Sequence, residues 1–226
     1  MANNRRSFLA TTAALGAAGW ATPSFAQPKD KPAEEVGATE DLMREHGVLN
    51  RVLLIYKEGL RRLRAREAID PEVFHRTATL VRKFVEDYHE KLEETFLFPE
   101  FEKQKKLLDL VKVLRTQHQA GRAVTDAVLR SATGDQFGKP ESRAAMVRAI
   151  EAFIRMYRPH EGREDTVLFP TFRKIVSAKR LAELGKQLEK EEDTLFGDEG
   201  FEKTVDQVTA IEKQLGIYDL AQLTPK

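Results

Sequence analysis

The chain of 226 residues contains no cysteine. That absence excludes a disulfide, a thiolate metal ligand, an iron–sulfur cluster and a cysteine nucleophile, so whatever this protein binds it binds with nitrogen and oxygen. A net charge of one sign is missing as well. The formal value is +1, which gives no footprint for nucleic acid or a membrane surface. Tryptophan occurs once, at Trp20, and no apolar run is long enough to anchor the chain in a bilayer. What remains is 41% hydrophobic and 32% charged, the balance of a helix-rich chain able to bury a core.

The first residues read as a targeting peptide. Asn4-Arg5-Arg6-Ser7-Phe8-Leu9 resembles the twin-arginine export signal. A weakly apolar run to Ala21 follows, and Ser24-Phe25-Ala26 offers small residues for cleavage after Ala26. Export by this route to the periplasm is expected, with removal of Arg5 and Arg6 taking the charge from +1 to −1. That route carries folded proteins, so a metal can be chosen in the cytoplasm rather than by the divalent affinity order. Residues 1–26 are thus a signal, 27–37 a flexible lead-in, 38–176 a bundle and 177–226 a helical extension with no membrane-inserted part.

One sentence of the sequence is written twice. His89 to Phe101 reads HEKLEETFLFPEF and His160 to Phe172 reads HEGREDTVLFPTF. Each gives His-x-x-x-Glu, and residues at i and i+4 share a helix face. Two more histidines fall inside apolar stripes of 4-3 spacing: His46 among Leu42, Leu49, Leu53, Tyr56, Leu60 and Leu63, and His118 among Leu107, Val111, Leu114, Gly121, Thr125 and Val128. About two of seven heptad positions lie on a seam. Four of five histidines landing there, one per helix, is on the order of a one-in-a-hundred coincidence. The periodicity predicts an all-α, up-down-up-down four-helix bundle, with helices near Thr39–Arg66, from an Asp70-Pro71 cap onward, Lys105–Ser131 and Pro140–Val176. Pro99 is expected to kink or end the second. Two further helices, near Lys179–Leu195 and Phe201–Leu215, should pack outside the bundle and carry only surface acids. His46, His89, Glu93, His118, His160 and Glu164 would then meet at one depth. Imidazoles and carboxylates so grouped are costly to bury unless they are paired or hold a metal. His75 lies off the stripes and reads as a surface residue. Glu45, Glu90, Glu94 and Glu161 read as surface or supporting groups, and the Leu-Phe-Pro residues as core around the site. Arg61 to Arg64 read as a solvated helix end.

Taken in order, His46, His89 with Glu93, His118, and His160 with Glu164 resemble the hemerythrin-like (HHE cation-binding) domain over about Asp41 to Val176. The resemblance implies a four-helix bundle with a non-haem di-iron centre. His46, His89, His118 and His160 would be terminal ligands, and Glu93 and Glu164 bridges, with manganese or zinc ranking behind iron. The chain departs from oxygen-carrying members at Arg122, where they have a second histidine. It also has Asp165 at the spacing of their bridging aspartate, which leaves the second bridge open between Glu164, favoured by the repeat, and Asp165. The missing imidazole argues against simple oxygen carriage and is similar to members linked to peroxide or nitric oxide. Iron-centre repair proteins of the family carry a cysteine segment and act in the cytoplasm, which does not fit. The expected function is binding of oxygen or a related small oxidant for sensing, storage or detoxification, with no protein partner indicated. The alternative is a structural or metal-storage bundle.

Overall fold

A computed structural model describes residues 37–225, and the expected targeting peptide and most of the expected lead-in lie outside them. The described residues are helical throughout, without a strand. α1 is Ala38–Ala65. α2 runs over 71–104, α3 is Leu108–Ser131, and a single turn at Gly134–Phe137 leads to α4 over 140–175. α5 is Ala178–Phe196 and α6 is Gly200–Leu215. Asp70 caps α2 by accepting from the Glu72 amide at 2.9 Å, with Pro71 at the first helical position.

Side-chain pairs fix the direction of each helix. Arg64 near the end of α1 meets Glu151 near the start of α4, while Glu40 meets Arg173 at the opposite ends. Arg82 pairs with Asp126 and Glu102 with Arg115, so α2 and α3 also run antiparallel. The result is an up-down-up-down bundle. Its seam buries Leu42, Leu49, Leu53, Tyr56 and Leu60 from α1, Val111, Leu114 and Val128 from α3, and Met146, Ile150 and Phe153 from α4. No helix among the described residues is long and apolar enough to cross a membrane.

Pro99 does not end α2, one of the two outcomes expected of it. In both copies of the repeat the helix widens to a π-type turn, over Glu93–Leu97 and Glu164–Leu168. The amide of Phe98 reaches back five residues to the Glu93 carbonyl, and that of Phe169 to the Glu164 carbonyl. Proline has no N–H to contribute and its ring needs room beside the preceding turn. The wider turn supplies that room, so α2 continues to Gln104. A longer π-type stretch, Val81–His89, precedes the first.

α5 and α6 lean on α1 and α2, and they contribute more than surface acids. Glu192 and Glu212 are buried. Glu212 takes Arg51 at 2.5 Å, and Arg62 donates to the Leu215 carbonyl at 2.6 Å. Arg61 to Arg64 are accordingly tied by ion pairs rather than merely solvated.

Candidate metal centre

All six expected residues sit in the bundle interior, each no more than 4% exposed. Heptad spacing places His46 on α1 and His118 on α3, and the i, i+4 pairs lie just past the midpoints of α2 and α4. His46, His89 and Glu93 bring ligand atoms within 4.8 Å of one another, as do His118, His160 and Glu164. The two sets interlock through their carboxylates. Glu93 Oε2 lies 3.9 Å from His89 Nε2 and 3.5 Å from His118 Nε2. Glu164 places Oε1 3.1 Å from His160 Nε2 and Oε2 3.4 Å from His46 Nε2. Each carboxylate therefore spans both halves.

The imidazoles share one orientation. His46 Nδ1 donates to Asp165 Oδ1 at 2.7 Å and His89 Nδ1 to Glu45 Oε2 at 2.7 Å. His118 Nδ1 donates to Glu94 Oε1 at 3.1 Å and His160 Nδ1 to Gln117 Oε1 at 2.8 Å. In a neutral ring, a proton held on Nδ1 by these partners leaves the Nε2 lone pair facing inward, the orientation of a metal-ligating histidine. These outer partners obey the repeat. Glu45 and Gln117 each precede a lone seam histidine, and Glu94 and Asp165 each follow a glutamate of the pair. Asp165 thus stands behind His46, with a third of its side chain exposed, while Glu164 occupies the interior.

Whether these residues suit a cation is decided by what they lack. Ten buried side-chain atoms among the described residues have no hydrogen-bond partner, and five of them are here: both oxygens of Glu93, both of Glu164, and His118 Nε2. Unpaired carboxylate oxygens in a dry core cost several kcal/mol, on the order of 1–3 each or more. A positive ion among them answers all five. His46 and His89 likewise bring their Nε2 atoms to 3.0 Å, a contact that needs a proton or a cation between two lone pairs.

Charge within the site is finely divided. Burial pushes the Glu93 carboxyl well above its ordinary range, and the neighbouring Glu164 adds to the rise. Burial acts on Glu164 in the same sense, but His160 and His46 outweigh it and hold that carboxyl well below the usual range. Burial lowers His118 to about 4. It opposes charge on His46 too, yet Asp165 and Glu164 prevail and raise that imidazole to about 10. A cation between the two glutamates is the arrangement that lets both ionise.

Aromatic rings close the site in the same repeated manner. Phe98 stacks on His118 and Phe169 on His46, each with centroids 5.6 Å apart. The Leu-Phe-Pro motif thus packs around the centre, its phenylalanine bonding a glutamate carbonyl through the amide and covering an imidazole with the ring. Arg122 points elsewhere. Its Nη2 lies 2.9 Å from Glu90 Oε2 and 2.9 Å from Glu94 Oε1, so it neutralises acids behind the site. Glu45, Glu90 and Glu161 are buried, so of the two readings offered for them, surface or supporting, the surface one falls, and Glu45 supports His89. His75 lies on the rim of a separate cleft of about 700 Å³ between α2 and the C-terminal helices.

Comparison with known proteins agrees with this geometry. The chain matches the hemerythrin HHE cation-binding domain over residues 37–172, and again over 109–219. It belongs to that family. The family implies a cation site, commonly of iron, and the two interlocked His/Glu sets are where such an ion fits. The chain is also 47% identical over 205 residues to uncharacterized proteins of Mycobacterium bovis and Mycobacterium tuberculosis, covering 90% of this chain and 80% of theirs. No solved structure is a significant match.

Proposed function

We propose that this chain is an exported non-haem di-iron protein that binds oxygen, peroxide or nitric oxide, to sense or remove it. The observation that carries the reading is the pair of spanning carboxylates, Glu93 and Glu164, buried, without hydrogen-bond partners, and within 3.9 Å of imidazoles from both halves. His46, His89, His118 and His160 would hold the two ions from the ends, and Glu93 and Glu164 from between. Imidazole and carboxylate donors without thiolate suit iron, with manganese next and zinc behind. Bound there, a pair of irons would supply reversible redox chemistry.

The chain's own residues set the conditions. Asp165, Glu45, Glu94 and Gln117 keep the Nδ1 protons outward so that the inward nitrogens stay free to ligate. Phe98 and Phe169 keep bulk water off two of the imidazoles. Each of the six residues is no more than 4% exposed, which suits a reactant of a few atoms better than a bulky one. Export by the twin-arginine route belongs to the same proposal, since it moves a protein already folded around its metal.

Native protein purified from its own compartment should carry about two irons per chain and a near-ultraviolet ligand-to-metal absorption that bleaches on reduction. Zinc alone would overturn the iron reading. The alternative, a structural or storage bundle, rests on the same unpaired atoms. Adding oxygen or peroxide to the reduced protein separates the two: a reversible or turnover-linked spectral change supports oxidant binding, and metal that stays silent favours the alternative.

A further inference from the structure

The four imidazoles are backed unequally. On the His46–His89 side both outer partners are carboxylates, Asp165 and Glu45, each at 2.7 Å. On the other side His160 is backed by the neutral amide of Gln117, at 2.8 Å. His118 is backed by Glu94 at a longer 3.1 Å. That carboxylate is already engaged, since its Oε1 also accepts from Arg122 at 2.9 Å and its Oε2 from Lys91 at 3.1 Å. An imidazole whose N–H is held by a carboxylate carries more negative charge on its opposite nitrogen and is a stronger metal donor than one held by an amide. Glu93 and Glu164 face both sides and lie slightly nearer the His118–His160 side, at 3.5 against 3.9 Å and 3.1 against 3.4 Å, so it is the outer partners that favour the His46–His89 side.

We propose that these outer contacts make the two cation positions unequal: the position served by His46 and His89 fills first and binds more tightly, and the one served by His118 and His160 is weaker and exchangeable. The inference rests on the metal-binding reading above and adds an order to it. Repeat-equivalent residues account for most of the difference. Glu45 precedes His46, and Gln117 stands in the same place before His118. Of the two carboxylates, Glu45 contributes more. Its side chain is 2% exposed against 35% for Asp165, so water screens the second and not the first. Tyr88 also donates to Glu45, at 3.0 Å, which draws off part of the charge and fixes the carboxylate in place.

The test is titration of the metal-free full-length chain with cobalt(II) alone, at fixed pH and against a competing chelator. Wild type should bind in two steps, the second at least about tenfold weaker. Glu45→Gln should weaken the first step by about 10–100-fold and leave the second where it was. Gln117→Glu should strengthen the second step and narrow the gap, a gain that a loss of folding cannot mimic. Asp165→Asn, at a partly exposed position, should weaken the first step by less than Glu45→Gln. Two equal steps in wild type would overturn the proposal, as would Gln117→Glu leaving the second step unmoved or Glu45→Gln acting on both steps alike. Failure of wild type to bind any cobalt would instead reject the metal reading itself, so the two failures are told apart.

Discussion

The first half of the bundle, α1 with α2, and the second, α3 with α4, are two renderings of one plan. They agree wherever a residue touches the centre. Each supplies a lone seam histidine, a His-x-x-x-Glu pair, a π-type turn beginning at the glutamate, and a phenylalanine stacked on an imidazole. One layer out the agreement is partial: an acid still follows each paired glutamate, at Glu94 and Asp165, but other positions differ. Leu49 in the first half stands where Gly121 does in the second, Glu86 where Tyr157 does, and Glu45 where Gln117 does. In the second half the Tyr157 hydroxyl lies over Gly121 and donates to Glu90 at 2.6 Å, and a Cβ at Gly121 would come within 2.1 Å of that oxygen. In the first half Leu49 is buried core and Glu86 accepts from Thr125. The first half is also the one on which α5 and α6 rest, through Tyr88 with Glu192 and Arg51 with Glu212. Contact with the centre constrains both copies alike, while packing has let the surroundings diverge.

The largest expected effect ignores this divergence. Because Glu93 and Glu164 each face imidazoles of both halves, Glu93→Ala and Glu164→Ala should damage metal binding about equally, each reducing metal content from the two ions per chain proposed above to one or none. Metal analysis of the purified variants checks this. A variant that loses one ion while its counterpart keeps both would show that only one carboxylate is shared.

Below that in size come two substitutions at one repeat position with opposite physical causes. Leu49→Ala leaves a hole in a closed core and should cost about 2–5 kcal/mol. Gly121→Ala overfills its site, because the new Cβ meets the Tyr157 hydroxyl, and should cost about 1–3 kcal/mol. Urea unfolding of the metal-free proteins measures both. Tyr157→Phe removes the obstructing oxygen, so the cost of Gly121→Ala should shrink in that background, whereas that of Leu49→Ala should not change.

These contrasts also show what the sequence could disclose. The six inward residues were legible because an i, i+4 pair and a 4-3 seam are local properties of a helix, and the Asp70-Pro71 cap is equally local. Continuation of α2 past Pro99 was not, because the proline rule describes an α-helix and a widened turn relaxes it. The outer partners left a signal that could have been read: a polar acceptor precedes each lone histidine, at Glu45 and Gln117, and an acid follows each paired glutamate, at Glu94 and Asp165. The burial of Glu192 left none, since it depends on where α5 docks. Asp165 and Glu164 are adjacent in sequence; the repeat favours Glu164 for the interior, and the structure places it there with Asp165 behind His46.

The finest contrast lies in protonation, at the equivalent positions His46 and His118. Burial lowers His118 to about 4, below the ordinary 6.5 of the unfolded chain. The unfolded state then takes up a proton that the folded state refuses, so the metal-free protein should lose stability as pH falls from about 6.5 towards 4. His46 is shifted the other way, to about 10, because Asp165 and Glu164 outweigh its burial. Its contribution is fully present below 6.5 and is lost as pH rises through 10. Each slope is bounded by one proton, about 1.4 kcal/mol per pH unit. Unfolding free energies of the metal-free protein, measured from pH 4 to 10, should therefore respond to His118→Asn on the acid side and to His46→Asn on the alkaline side. If both substitutions flattened the same limb, the two halves would not differ in the way their neighbours require.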